Sequence, residues 1–228
     1  MKKHIKIALD GPSGSGKSTI AKTLSKRLDI LYLDTGAMYR AVALKALSLG
    51  VDTFDSDGVS AFLTDLDLDI KYADGAQRTF LDGEDVSEKI REPRVSMAAS
   101  NVSSLKCVRL KMVEMQREIA GKTSCVLDGR DIGSYVLPDA DYKFYITASV
   151  EVRADRRYKE LTLKGYKVDY DELKKEIEQR DYNDKNRDFA PLVQAPDAVY
   201  LDTSYMTIEQ VVNKVLSYVN QGENGETK

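Results

Sequence analysis

The sequence predicts an α/β fold, a parallel sheet flanked by helices with a small antiparallel insertion, and three observations carry the prediction. Short apolar runs alternate with amphipathic stretches of about 3.6-residue period at both ends of the chain. A glycine-rich loop ending in Lys17-Ser18 lies between the first apolar run and the first helical one. Residues 67–86 alternate polar and apolar, with turn signals between, which sets them apart from the parallel pattern.

Taken in order, Ile5-Lys6-Ile7-Ala8-Leu9 is a short strand closed by Asp10-Gly11-Pro12. Ile20, Ala21 and Leu24 recur at helical spacing and give a helix from Ser18 to about Arg27. Leu31-Tyr32-Leu33 is a second strand ending in Asp34-Thr35-Gly36. A second helix through Ala41, Leu44, Ala46 and Leu47 stops at Gly50, a fitting C-terminal cap. Leu68, Ile70 and Tyr72 alternate with Asp67, Asp69 and Lys71, and Asp74-Gly75 and Asp82-Gly83 are turns around Thr79-Phe80-Leu81. Two or three short antiparallel strands follow from that pattern.

Pro93 opens a helical region, and Val108 to Ala120 is an amphipathic helix ended by Gly121. Cys125 to Asp128 and Tyr142 to Ile146 resume the strands. Ser149 caps a basic helix to about Leu163, and Asp169 to Asp188 is a long polar helix with Glu172 placed for a capping box. Val199-Tyr200-Leu201 is the last strand. Thr207 and Gln210 make a capping box for a final helix to about Asn220, with a disordered tail expected over about 221–228. The core is expected over about 1–60, 93–150 and 189–220, the insertion over about 61–92 and a helical lid over about 151–188.

The 228 residues are 42% hydrophobic and 31% charged, ordinary globular values that argue against disorder and membrane embedding. No apolar run approaches the roughly 18 residues of a membrane span. The apolar run after Met1-Lys2-Lys3-His4 is too short for a signal-peptide core, and two cysteines, Cys107 and Cys125, suggest no disulfide framework. A cytoplasmic protein with free thiols is expected. A net charge of -3 disfavours a nucleic-acid backbone and favours a small anion held by a few local cations. With His4 the one histidine, the chemistry falls to Lys, Arg, carboxylates and a metal ion.

Gly11-Pro12-Ser13-Gly14-Ser15-Gly16-Lys17-Ser18 fits the G-x-x-x-x-G-K-[ST] phosphate-binding loop in full, between strand and helix as the motif requires. Backbone N–H groups of such a loop face one anion at the positive end of the following helix. Lys17 then reaches the β- and γ-phosphates of ATP, and the Ser18 hydroxyl holds Mg²⁺. Thr19 follows in the same segment. Asp128, ending an apolar strand, suits support of Mg²⁺ or its waters, but strand-end aspartates also form turns, so alone it leaves both readings open. Its neighbours Gly129-Arg130-Asp131 favour the first, since Arg130 can fork onto a phosphate.

Arg153, Arg156 and Arg157 share one helical face, as do Arg180, Asp184 and Arg187. A solvated, salt-bridged surface is one account of them. A mobile flap that carries arginines over the phosphates is the other, favoured by the scarcity of apolar residues there and by the resemblance described next. Missing features fit too. A phosphate monoester acceptor is ionised near pH 7, its second pKa being about 6, so it needs no general base. Positioning and charge stabilisation by Lys, Arg and Mg²⁺ suffice.

The chain resembles the bacterial cytidylate kinases of the nucleoside monophosphate kinase family. The resemblance spans about residues 4 to 220 and rests on the loop from Gly11, Leu33-Asp34-Thr35-Gly36-Ala37-Met38-Tyr39-Arg40 and Ala98-Ala99-Ser100-Asn101-Val102. It also rests on Asp128-Gly129-Arg130-Asp131-Ile132-Gly133, Arg180-Asp181 through Asn186-Arg187, and Ala190-Pro191-Leu192. It implies a P-loop-type core of five parallel strands and ATP-dependent phosphoryl transfer to CMP and dCMP by a monomer. It further implies Arg40, Arg130 and Arg180 around the acceptor phosphate, with Thr35 beside them. Ser100, Arg109 and Asp131 are implied to read the cytosine, Asp184 the ribose, and Arg187 to close the acceptor site. Arg153 and Arg157 are implied to lie in the lid over ATP. Thr35 stands where serine is frequent, and Ser134-Tyr135 replaces a commoner Thr-Val pair at the edge of the base pocket. A different small-molecule kinase would show a substrate-side carboxylate base, and a guanine-specific switch would show an N-K-x-D segment, which is absent.

Overall fold

The computed structural model describes residues 4–73 and 76–225. Strand β1 (Lys6–Asp10) and helix α1 (Lys17–Leu28) lead to β2 (Leu31–Asp34) and α2 (Thr35–Ser48). Helix α3 (Ser56–Leu63) precedes β3 (Leu68–Ala73), β4 (Ala76–Leu81) and β5 (Glu84–Asp85). A 3-10 turn at Lys89–Arg91, α4 (Pro93–Val102) and α5 (Lys106–Lys122) follow. Next come β6 (Cys125–Gly129), a π-helical turn at Ile132–Val136, β7 (Tyr142–Thr147), α6 (Val150–Leu163), α7 (Tyr170–Asn186), β8 (Val199–Asp202) and α8 (Ile208–Gly225).

One sheet has the order β2-β6-β1-β7-β8 and the other the order β3-β4-β5. In the first, β1 pairs parallel with β6 and with β7, and β7 pairs parallel with β8. In the second, β4 pairs antiparallel with β3 and with β5. The parallel sheet, its flanking helices and the small antiparallel sheet agree with the expected fold.

The chain forms two compact units, residues 1–31 with 124–228, and residues 32–123. In the first, Ile7, Ala8 and Leu9 of β1 are wholly buried, as are Ile20, Ala21 and Leu24 of α1 and Val126 and Leu127 of β6. Burial on both faces explains why the central strands are unbroken apolar runs rather than alternating ones. In the second unit α2 packs on α4, and Ala37, Met38, Ala41, Val42, Val95 and Val102 are buried. Both cysteines are free, and burial pushes the Cys125 thiol up to about 11.

Caps place the helix starts. Ser149 Oγ accepts from Val152 N–H, Asp169 Oδ1 accepts from Glu172 N–H at 2.9 Å, and Thr207 and Gln210 exchange bonds of 2.8 and 3.2 Å. Asp34 Oδ1 accepts from Ala37 N–H at 2.8 Å, which starts α2 at Thr35, earlier than its apolar spacing suggests. Helix α3 was not expected, because Gly58 sits among polar residues, yet Asp55 caps it through Asp57 N–H. Helix α5 passes through Gly121 and stops where Thr123 turns extended at φ -159. Helix α8 runs past Asn220 to Gly225, so the tail expected to be disordered from 221 is helical that far, and 226–228 lie outside the described residues. The Asp74-Gly75 turn also lies outside them.

Candidate active site

Strand β1 delivers the chain to Gly11, whose φ is +143 and whose added β-carbon would sit 1.9 Å from the Ile146 carbonyl oxygen of β7. Only glycine fits there. The loop then enters α1, which has no side-chain cap, leaving its first N–H groups to face a phosphate. Lys17 is buried, and its Nζ donates to the Pro12 carbonyl at 2.6 Å and to Ser15 Oγ at 3.3 Å. Burial, reinforced by Arg130, pulls its ammonium down to about 7 against the opposing charges of Asp128, Asp10 and Asp184.

Ser18 Oγ donates to Asp128 Oδ2 at 2.7 Å, joining the two residues expected to hold magnesium. A hydroxyl and a carboxylate side by side fit an ion that keeps most of its water shell. Among the described residues no group of three or more His, Cys, Asp or Glu is placed to hold a metal.

Asp184 gathers Arg130, Arg180 and Arg187 of the first unit. Arg130 Nε donates to its Oδ2 at 2.7 Å, and Arg187 Nη1 lies 3.9 Å from its Oδ1. Burial would raise the Asp184 carboxyl, but Arg130, Arg180 and Arg187 hold it below the usual carboxylate range. Arg187 also reaches Asp131 Oδ1 at 3.4 Å and the Ala190 carbonyl. Asp184 of α7 and Arg187 just past its end are therefore brought together with the segment after β6.

Arg153 is buried. Its guanidinium grips Asp181 with two bonds of 3.0 and 2.5 Å and also donates to the Ala148 and Ser13 carbonyls, tying α6 to α7 and to the phosphate loop. Arg156 donates to the Thr203 carbonyl, and Arg157 pairs with Glu160 at 2.8 Å. Asp181 was missed in the sequence, where it resembled one more exposed charge on a polar helix.

The second unit holds Thr35, Arg40, Ser100 and Arg109. Thr35 is the buried first residue of α2, and Ser100 stands on α4. Arg109, buried in α5, donates to the Ser103 carbonyl at 3.3 Å and lies 5.6 Å from the Tyr39 ring centroid. Arg40 pairs with Asp34 at 3.1 Å, and so does Arg91, at 2.8 Å, a residue that sequence reasoning did not single out.

Asp10 was also missed. It ends β1, is buried, and accepts from Ile132 N–H and Gly133 N–H at 2.7 Å each, fixing the turn that follows Arg130 and Asp131. A β-carbon on Gly133 would come within 3.1 Å of Lys143 Cδ and 3.3 Å of Asp10 Oδ2, so the clamp closes on bare backbone. Burial pushes the Asp10 carboxyl from 3.8 up to about 7, against the pull of those two amides and of Lys17. Between these values the folded chain holds a proton that the unfolded chain has lost. The stability this group contributes is therefore full below about pH 4 and lost as pH rises to about 7. Thermal melts of wild type and Asp10→Asn across that range should show the wild-type advantage shrinking by on the order of 4 kcal/mol at most. A pH-independent difference would exclude titration of Asp10 in this window.

Comparison with known proteins shows the family. The family model for cytidylate kinase matches residues 7–221. The chain is 51% identical over 214 residues to the cytidylate kinase of Caldicellulosiruptor saccharolyticus, covering 94% of this chain and 95% of that one. Against the cytidylate kinase of Clostridioides difficile it is 51% identical over 217 residues, 95% of this chain and 99% of that one. A shikimate kinase structure from Bacteroides thetaiotaomicron shares the fold, with a TM-score of 0.50 at 14% identity over 95% of this chain and 98% of that one. The chain belongs to the cytidylate kinase family.

Proposed function

We propose that the chain transfers the terminal phosphoryl group of ATP to the phosphate of CMP and dCMP, giving ADP with CDP or dCDP. The observation that carries this reading is the sharing of one compact unit by Lys17, the Ser18–Asp128 pair and the Arg130–Asp184–Arg187 cluster. Phosphate-loop chemistry and a set of organised arginines are what transfer between two phosphates requires.

The acceptor oxygen is ionised near neutral pH and attacks without a base. Lys17 places its charge on the moving phosphoryl group, while Arg130 and Arg180 bind the acceptor phosphate and Arg157 adds charge from the lid. A magnesium ion bound with ATP would be held by Ser18 and Asp128, in part through water, and would neutralise charge on the β- and γ-phosphates. The loop Gly11–Ser18 with Thr19, together with Arg153 and Arg157, forms the ATP site of this reading. Thr35, Arg40, Ser100, Arg109, Asp131, Asp184 and Arg187 serve CMP. Residues 151–188 act as the lid and 61–92 as the acceptor insertion. A small core of Ala154, Leu161, Leu173 and Ile177 joins α6 to α7 and supports their moving as one body. The same reading makes the enzyme a cytoplasmic monomer acting on nucleotides, and no described helix is long and apolar enough to cross a membrane.

A coupled assay with ATP and magnesium, scanning CMP, dCMP, UMP, AMP, GMP and shikimate, tests it. CMP and dCMP should be the best acceptors. Turnover of shikimate without turnover of CMP would overturn the proposal.

A further inference from the structure

The backbone that follows β6 is held from two sides. On one side stands Asp10, the buried last residue of β1, whose Oδ1 accepts from Ile132 N–H and whose Oδ2 accepts from Gly133 N–H, at 2.7 Å each. On the other, the Asp131 carbonyl accepts from Tyr135 N–H at 2.9 Å and from Val136 N–H at 3.0 Å, the bonds that open the π-helical turn. Turns of this type are rare and gather at functional sites.

A peptide unit is planar, so its carbonyl and its N–H point in opposite directions. The unit joining Asp131 to Ile132 is therefore fastened at both ends, by the turn at its oxygen and by Asp10 at its nitrogen. This fixes the backbone of Asp131, which sits at φ -146 and ψ 27, outside the helical and extended wells. The direction in which the Asp131 side chain leaves the chain is fixed with it. Ile132 is itself buried and anchors the turn. Aspartate suits the task at position 10, because it sets two acceptors on one short stem. Asparagine offers one acceptor and would turn an NH₂ group toward the other amide.

We propose that Asp10 is a positioning residue for acceptor specificity: its grip on two amides sets the Asp131 backbone and so aims the Asp131 carboxylate. The proposal rests on the reading of Asp131 as the residue that meets the acceptor base. Asp10 touches no substrate in this account, and its influence on the choice of base passes through Asp131. A carboxylate swung off its line keeps its charge but loses the alignment on which discrimination depends.

The test is kcat/KM for CMP and for UMP at saturating ATP, in wild type, Asp10→Asn, Asp131→Asn and the double variant, with circular dichroism to verify folding. A loss of folded protein lowers both acceptors by one factor and leaves their ratio unchanged. Asp10→Asn should cut the CMP/UMP ratio by about tenfold, the worth of one misdirected charge-assisted bond. The double variant should match Asp131→Asn within about twofold, since residues acting through one contact are not additive. An unchanged ratio in Asp10→Asn overturns the proposal, and so does an additive loss in the double variant. If the asparagine variant does not fold, Asp10→Glu decides by the same ratio. It keeps the charge but sets it one methylene further from β1, so a narrowed ratio supports the proposal and an unchanged one overturns it. Should Asp131→Asn itself leave the ratio unchanged, the base reading of Asp131 fails and this inference falls with it. A ratio that narrows in Asp131→Asn and holds in Asp10→Asn removes this inference alone.

Discussion

Replacing Lys17 by methionine is expected to lower kcat by about 10²–10³-fold while the chain stays folded and melts no earlier than wild type. The two halves of this expectation share one cause. The ammonium is buried in the loop, and burial with Arg130 nearby pulls it from 10.5 down to about 7. Folding therefore disfavours the charged form, and the cost is full below about pH 7 and fades toward pH 10.5. Methionine keeps the apolar stem and removes the buried charge, a gain that offsets the lost bonds to the Pro12 carbonyl and Ser15 Oγ. The phosphoryl group in flight loses the cation directed at it. Steady-state kinetics with circular dichroism melts decide the matter, and near-normal turnover in the folded variant would remove Lys17 from the chemistry.

The second large effect concerns the base. Cytosine offers an exocyclic amino donor where uracil offers a carbonyl acceptor, and an ionised aspartate accepts but does not donate. With Asp131 facing that position, CMP gains a charge-assisted bond and UMP sets two acceptors against each other. Wild type should favour CMP over UMP by at least about 10² in kcat/KM, and Asp131→Asn should narrow that ratio, since an amide presents either a donor or an acceptor. Asp131 is buried with one oxygen 3.4 Å from Arg187 Nη2. An unchanged ratio in the asparagine variant would reduce Asp131 to a partner of Arg187.

What was legible in the sequence was local. The phosphate loop, the caps at Ser149, Asp169 and Thr207, and the apolar runs of the parallel strands depend on neighbours a few residues away, and all stand where expected. What was hidden depends on partners far along the chain. Asp10 meets Ile132 across 122 positions, Asp34 meets Arg91 across 57, and Arg153 meets Asp181 across 28. In one dimension each of these carboxylates is a strand-end turn former or one charge among many on a polar helix. Arg153 shows the difference most clearly, for it lies on the helical face expected to carry loose lid cations, and the structure buries it against Asp181 and the Ser13 carbonyl.

The close approach at Gly11 has a genetic meaning. Every replacement at that codon adds a β-carbon, and the first atom it meets is a main-chain oxygen of β7, which no change of rotamer can move aside. Suppressor mutations elsewhere can enlarge a side-chain pocket, but they cannot shorten a backbone carbonyl. Missense variants at this position should therefore behave as one class regardless of the chemistry of the incoming residue, and second-site revertants among them should be rare.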